Sequence, residues 1–402
     1  MGMGYTELFR PEGASFGALR RLYSKEVLVL QICIDGTPLL MNSAGIKTYL
    51  YYWLKSLEAS GNGHHVTVFP GIRELDELEH QISLKKKIPA ALRLAVVAYL
   101  NWNRNSSWLT SVFCGKADLF HTSKILHPPK RNTRLTATIH DVTVWLMPHL
   151  HTPCNVAGDR RLAEMVLKRA DRLIAVSHNS KKDAVEVLGL SPDRIDVIYN
   201  GVAEAYFQAG DEAAAVATRK YGLKRPYVLF NGAIEPRKNI DILLDAYGSL
   251  SPSLRQAFEL ILAGPMGWAS AGTVQRLGSR DSGVRYLGYV PEADLPGLTR
   301  AATLLVYPSL YEGFGFPVAQ AMAAGVPTIT SNVSSLPEVA DGAALLVDPR
   351  SVAELSSGLR RLLLSPSLRG EMITKGRWRA ESFRWKESAV QSWRFFEKTL
   401  GT

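Results

Sequence analysis

Cysteine is scarce in this chain: Cys33, Cys114 and Cys154 are the only three in 402 residues, and no two form a CxxC pair. That excludes a disulfide scaffold and a thiol metal or redox motif, and it points to a reducing compartment. Long apolar runs are missing as well. The longest, Ile88–Leu100, has 13 residues and carries Arg93, too short to cross a bilayer. Residues 1–26 are mixed and polar, without the basic and then apolar segments of an export leader. No HxxxH, DxD or GxGxxG occurs, which argues against a helical His metal site and against an NAD or FAD fingerprint. Short repeats and low-complexity stretches are absent, so collagen-like and disordered readings fall away. The expectation is a soluble chain, or one that at most lies on a membrane.

What remains is an ordinary globular composition, 46% hydrophobic and 21% charged, long enough for two or three domains with proper cores. The charge is less ordinary. Lys and Arg number 47 against 37 Asp and Glu, a net +10, and residues 80–135 hold ten Lys or Arg and one acid, Asp118. An anionic partner follows from such a segment; whether nucleic acid, phospholipid or a phosphate-bearing small molecule does not. No helix-turn-helix, RNP or zinc-finger element supports nucleic acid.

Strands and helices alternate, the mark of parallel sheets. Apolar runs predict strands at Val27–Ile34, Val66–Phe69, Leu119–His121, Thr136–His140, Leu173–Val176 and Ile195–Ile198. Between them, Ile46 to Leu57 recur at helical spacing, and a second helix runs from about Asn179 to Leu188 with Ser177 as its N-cap. A second series then starts, with strands at Tyr227–Phe230, Leu260–Ala263, Val284–Leu287, Leu304–Tyr307, Thr328–Thr330 and Ala344–Val347. The polar, Ala-rich stretch 203–219 separates the two series, and Trp378–Leu400 reads as one amphipathic helix beyond the second. The reading is α/β: two doubly wound, Rossmann-like domains, 1–205 and 206–379, with the helix at about 380–402 assigned to the first.

Three loops carry candidate chemistry. Asn231–Asn239 leaves a strand and ends in Arg237 and Lys238, just before a helix start whose dipole they oppose. This is either a solvated turn or a seat for an anion held between the cations and the helix amides. Tyr311–Pro317 follows another strand; Gly313 and Gly315 allow close backbone approach, Glu312 lies in the loop and Gln320 in the first helical turn. Both loops lie at the C-terminal edge of the sheet, where open α/β sheets bind ligands. Asn42–Gly45 and His140-Asp141 hold equivalent places in the first half, while His64, His65, His149 and His151 look structural.

Together these stretches resemble the retaining glycosyltransferases of family 4, which have the GT-B fold, over most of residues 27–400. The likeness is specific in Asn231–Asp241, Ala263-Gly264-Pro265, Tyr286–Val290, Pro308–Asp348 and, in the first half, Gly45, His140-Asp141, Ala175–Ser177 and Tyr199–Val202. It implies two domains facing each other across a cleft, the C-terminal helix crossing back to the first. It also implies roles: Arg237 and Lys238 clamping a donor diphosphate, the Gly45 amide facing the same phosphate, Glu312 holding sugar hydroxyls, and His140 near the reacting sugar. Gly232 and the amides of Gly313, Phe314, Gly315 and Phe316 would line the donor site, with Tyr289 and Val290 at the base. No metal or cofactor is expected, the two cations taking the metal's part, and the bond would form with retention, by front-face displacement or a covalent intermediate. One position departs from the pattern. Where the family has a second glutamate, eight residues after the first, this chain has Gln320, which can accept or donate a ribose hydrogen bond without charge assistance.

The form Glu-Pro-Arg-Lys-Asn, with Ala-Gly-Pro-Met-Gly-Trp and Ser-Asn-Val-Ser-Ser-Leu-Pro-Glu, looks most like users of GDP-mannose, with UDP-glucose the main rival. Three functions follow: a cytoplasmic transferase, peripheral on the inner membrane face, building a glycan or acting on a lipid-linked acceptor; a nucleotide-sugar binder without turnover, motivated by Gln320; and, weakest, a nucleic-acid binder. The run Ser83–Pro89, with Lys85, Lys86 and Lys87, leads into Ala90–Leu100, Trp102 and Trp108, and suits either anionic headgroups or an ordinary packed helix with solvated lysines.

Overall fold

A computed structural model describes residues 29–40, 44–61, 63–69, 107–114, 116–122, 133–268, 271–277 and 283–402. Asn42, Ser43, the segment Ser83–Leu100 and Trp102 lie outside the described residues.

The apolar runs become strands, the central ones covered on both faces and those at the sheet edges only in part. In the first half these are β1 (Gln31–Asp35), β2 (His65–Phe69), β3 (Leu119–Thr122), β4 (Arg134–Ile139), β5 (Arg172–Ala175) and β6 (Ile195–Val197), in the order β2-β1-β3-β4-β5-β6. Every pairing is parallel. Alternation along β1 sends Ile32 and Ile34 to one face and Cys33 to the other, and the sheet accordingly separates two apolar clusters. Cys33 and Cys114, 81 positions apart, bring their sulfurs to 2.6 Å on the second face, both as free thiols.

The second sheet comprises β7 (Tyr227–Asn231), β8 (Glu259–Ala263), β9 (Val284–Gly288), β10 (Leu304–Tyr307), β11 (Thr328–Ser331) and β12 (Leu345–Val347), again parallel, in the order β12-β11-β10-β7-β8-β9. Its core is a single cluster that includes Tyr227, Phe230 and Tyr307, all fully buried.

Six helices carry the contacts that shape the crevice and join the two halves: α1 (Ala44–Ser60), α2 (His178–Leu188), α3 (Phe316–Ala323), α4 (Leu336–Ala340), α5 (Pro366–Ala380) and α6 (Trp385–Leu400). The Ser177 side chain caps α2 by accepting from the Ser180 N–H, as its sequence position predicts. The stretch 203–219 between the two series forms two helices, Glu204–Phe207 and Asp211–Lys220. One expectation changes: Trp378–Leu400 is not one helix, because a 3-10 turn at Glu381–Phe383 splits it into the end of α5 and all of α6. The break has a tertiary cause. Phe383 is driven fully into the core, and its carbonyl accepts from the Val202 N–H at 2.7 Å, where the returning chain crosses the outgoing one.

Past this crossing α6 packs on α1 in the first half. The Trp53 indole donates to the Ser392 hydroxyl at 2.9 Å and the Trp393 indole to the Leu57 carbonyl at 3.2 Å. Trp393, Phe395 and Phe396 are buried there, at roughly 1.5–3 kcal/mol of transfer free energy for each large side chain.

Candidate functional site

β7 and β10 lie side by side, but the chain leaves them in opposite directions, to β8 on one side and β11 on the other. Such a switch point opens a crevice at the C-terminal ends of the strands. The loop after β7 enters it through a 3-10 turn, Pro236–Lys238, that ends at Asn239 in the left-handed region (φ 62°). The Asn239 amide donates to the carbonyls of Pro308 at 3.1 Å and Pro349 at 2.6 Å, which fixes the turn and aims Arg237 and Lys238 into the crevice.

The loop after β10 meets them with Glu312. Lys238 Nζ donates to Glu312 Oε1 at 2.6 Å and to the Tyr307 hydroxyl at 2.7 Å. Arg237 Nη1 donates to Glu312 Oε2 at 3.1 Å and to the Tyr311 carbonyl at 2.6 Å, and its Nη2 donates to Glu235 at 3.0 Å. The hydroxyls of Tyr307 and Ser309 donate to Glu312 Oε1 at 3.0 and 2.6 Å. Two cations and two carboxylates thus form a buried cluster of zero formal charge. Burial pushes the Glu312 carboxyl up, but the charges of Arg237 and Lys238 and the bonds from Lys238 and Ser309 outweigh it and hold the group at about 2. Burial and the adjacent Arg237 push the Lys238 amine down against the pull of Glu312 and Glu235. Arg237 Nε is buried with no hydrogen-bond partner among the described residues.

The first half supplies the opposite wall. Gly313 lies so close to the His140 carbonyl that a Cβ would fall 1.7 Å from that oxygen. Only glycine fits there, and what it approaches in this structure is backbone of the first half. His140 follows β4 and sets its ring edge-on to Tyr49 at 4.9 Å. His151, which reads as bland in the sequence, has its titration lowered by burial, within the fields of Asp141, Arg237 and Glu235, and its buried Nε2 has no partner among the described residues.

The remaining candidates lie on other loops and helices of the two halves. Gly45 is exposed in the first turn of α1, where amides have no intrahelical acceptor. Gly232 follows β7 directly, its N–H donating to Ala263. Gly315, at φ 97°, caps α3, with Phe314 buried before it and Phe316 opening the helix. Gln320 is in the second turn of α3 rather than the first; it is buried, and its side chain has no hydrogen bond among the described residues. Tyr289 and Val290 follow β9, the edge strand, and the Val290 side chain belongs to the core, leaving its backbone for contact.

Sequence reasoning assigned no part to Glu235, Tyr307, Ser309, Tyr311 or His151. Glu235 and Tyr311 stand inside the motifs, and Ser309 three residues before Glu312; Tyr307 reads only as strand. Among the described residues no group of three or more His, Cys, Asp or Glu could hold a metal, and no helix is long and apolar enough to cross a membrane.

Comparison with known proteins bears on most of the chain. Residues 43–206 match the glycosyltransferase family 4 model and residues 216–379 the model for glycosyl transferases group 1. The O-antigen chain mannosyltransferase B of Escherichia coli is 31% identical over 377 residues, 90% of this chain and 98% of that protein. The serotype-specific mannosyltransferase WbdA of Escherichia coli is 30% identical over 235 residues, 57% of this chain and 29% of that protein. Among solved structures, sucrose-phosphate synthase from Thermosynechococcus elongatus superimposes with a TM-score of 0.71 at 22% identity, covering 92% of this chain and 99% of that one. WaaG, a glycosyltransferase involved in lipopolysaccharide biosynthesis, gives 0.64 at 18% identity, covering 90% and 98%. Two facing parallel sheets, a crevice at the switch point of the second and a full-length relative at this identity lead to one conclusion: the chain belongs to the family 4 glycosyltransferases, enzymes of the GT-B fold.

Proposed function

We propose that the protein moves a hexose, mannose by preference, from GDP-mannose to a glycan or lipid-linked acceptor, with retention at the anomeric carbon. The observation that carries this reading is the buried Arg237–Lys238–Glu312 cluster at the switch point, facing His140. Mannose is favoured because two relatives are named as mannosyltransferases. UDP-glucose is the rival donor, and a fold neighbour, the Anabaena protein HepE, has been solved with UDP-glucose.

In this reading the donor diphosphate lies between Arg237 and Lys238 on one side and the Gly45 amide on the other. The unpartnered Arg237 Nε supplies one more donor, and the phosphate charge offsets the burial that depresses the Lys238 amine. As the sugar–phosphate bond breaks, the cations neutralise the charge growing on the leaving nucleotide, so no metal is needed. Glu312, held ionised, accepts from hydroxyls of the transferred sugar, beside the amides of Gly313 to Phe316, with His140 near the reacting carbon. Gln320 takes the ribose hydroxyls, Gly232 lines the donor site, and the backbone at Tyr289 and Val290 holds the base. We place the enzyme in the cytoplasm, peripheral on the inner membrane face, on the strength of the basic segment 80–135.

The test is nucleotide release from a panel including GDP-mannose and UDP-glucose, with and without acceptor and chelator. GDP-mannose should be the best donor, and chelator should leave the rate unchanged. Arg237→Ala and Lys238→Ala should each lose about 100-fold in turnover, near 3 kcal/mol. Gln320→Glu should keep or tighten nucleotide binding. A strict Mg²⁺ or Mn²⁺ requirement, or near wild-type rates in both cation variants, overturns the clamp.

A further inference from the structure

Several of the contacts that join the two halves beside the crevice come from one helix. At the start of α2, the hydroxyls of Ser177 and Ser180 donate to the Gly313 carbonyl at 2.7 and 3.1 Å. The N–H groups of His178 and Asn179, in the same turn, donate to the two carboxylate oxygens of Glu338 at 2.7 and 3.0 Å. One turn further on, Asp183 accepts from the Tyr311 hydroxyl and, at 2.8 Å, from the Asn179 amide, which also donates to Tyr311 at 3.1 Å. Glu338 belongs to α4 of the second half, so one helix of the first half grips three points of the second.

Those three points surround Glu312. Tyr311 and Gly313 are its neighbours in the chain. Ser334 Oγ accepts from the Glu312 N–H at 3.0 Å and Ser335 Oγ donates to its carbonyl at 2.9 Å, and these serines lead directly into α4 and Glu338. The carboxylate of Glu312 is therefore set by Arg237 and Lys238, and its backbone by Ser334 and Ser335 of its own half, while α2 of the first half holds the residues on either side of it, Tyr311 and Gly313, and the helix that those serines enter. The grips are strong of their kind. Glu338 takes two helix-terminal N–H groups, where the dipole favours a negative charge, and the Tyr311–Asp183 bond is charge-assisted. Tyr311 is buried, and burial together with Asp183 pushes its hydroxyl's titration upward, keeping it a donor. Neither Asp183 nor Glu338 bonds Arg237 or Lys238 among the described residues.

We propose that Asp183 and Glu338 are positioning residues of the transfer reaction, which hold Glu312 in register across the cleft through Tyr311 and through the Ser334–Ser335 entry to α4. The inference rests on the reading that Glu312 contacts the transferred sugar. A displacement of about 1 Å at such a group costs on the order of 100-fold in rate, so loosening the grip should act on turnover. Nucleotide binding, which belongs to the cation pair, should be spared.

The experiment follows turnover of GDP-mannose and of UDP-glucose, and GDP and UDP affinity by calorimetry, in the full-length chain. Glu338→Ala and Asp183→Asn should lower kcat by about 10- to 100-fold, with nucleotide affinity near wild type. Glu338→Gln, which keeps one acceptor oxygen for the α2 amides, should recover part of the loss. Placed in a Glu312→Gln background, the same substitutions should cost nothing more, because the group they position is already gone. Wild-type rates in Glu338→Ala, an equal fall in nucleotide affinity, or a full additional loss in the Glu312→Gln background overturns the proposal. If Glu338→Ala fails to fold, Tyr311→Phe decides, since it deletes one hydroxyl and no charge. A wild type silent with both donors, or a Glu312→Gln enzyme of full activity, instead removes the functional reading beneath, and this inference with it.

Discussion

Protonating Glu312 would leave two buried cations with Glu235 as their one remaining carboxylate, and this makes the cluster visible to acid. The carboxyl titrates at about 2 against an ordinary 4.5, so its contribution to stability is complete above pH 4.5 and is lost as the pH falls toward 2. The difference corresponds to about 3 kcal/mol. His121 acts in a different window. Burial, with His140 adding to it, lowers its titration from 6.5 to about 3, and both ring nitrogens are occupied by the hydroxyls of Thr136 and Thr138. The folded state therefore keeps it neutral while the unfolded chain gains a proton, and stability falls as the pH drops from 6.5 toward 3, by up to about 5 kcal/mol. Urea unfolding between pH 2 and 8 separates the two: Glu312→Gln should flatten the lower window and His121→Gln the upper. A Glu312→Gln protein with the wild-type slope below pH 4.5 would show that the carboxyl is not held by the cations. Arg237, Lys238 and Glu312 were legible because their loops carry a motif. Tyr307 and His121 were not, since a strand residue's partners come from neighbouring strands and loops that local sequence does not name.

At the scale of elements, most strands start and stop within a residue or two of their apolar runs, because burial on both faces leaves a continuous signal. Two features went unread for different reasons. Asp211–Lys220 opens with Asp211 and Glu212 and closes with Arg219 and Lys220, a charge order that suits the helix dipole and was available in the sequence. The break at Glu381–Phe383 was not available, because it answers to Val202, 181 positions upstream. That break frees α6 to lie on α1, and the packing is testable. Trp393→Ala empties a buried ring site and removes the bond to Leu57, so it should cost about 3–5 kcal/mol in denaturant unfolding. A loss below about 1 kcal/mol would mean that α6 contributes little to the first half's core.

For the whole molecule, the pairing of two parallel sheets could be expected from the restart of the strand pattern near Tyr227, whereas the seam on α2 could not, because its partners come from opposite halves. The charge distribution was plain from the start, and it bears on where the enzyme works. In sequence, the ten cations of residues 80–135 flank a described helix, Trp108–Cys114, whose Trp108, Val112 and Phe113 are more than half exposed, followed by the exposed Lys116. Apolar side chains exposed beside cations suit an anionic lipid surface. Lys85, Lys86 and Lys87 lie outside the described residues, but each basic group near such a surface is worth about 1 kcal/mol, so three can shift binding by roughly two decades. Replacing all three by Ser should weaken sedimentation with anionic vesicles by that factor at low salt and leave neutral vesicles unaffected. Raising the salt should shrink the difference, since screening reaches exposed charges first. Binding that ignores the substitutions, or that is equal on the two vesicle types, would remove the membrane role and leave the basic surplus to a charged soluble acceptor.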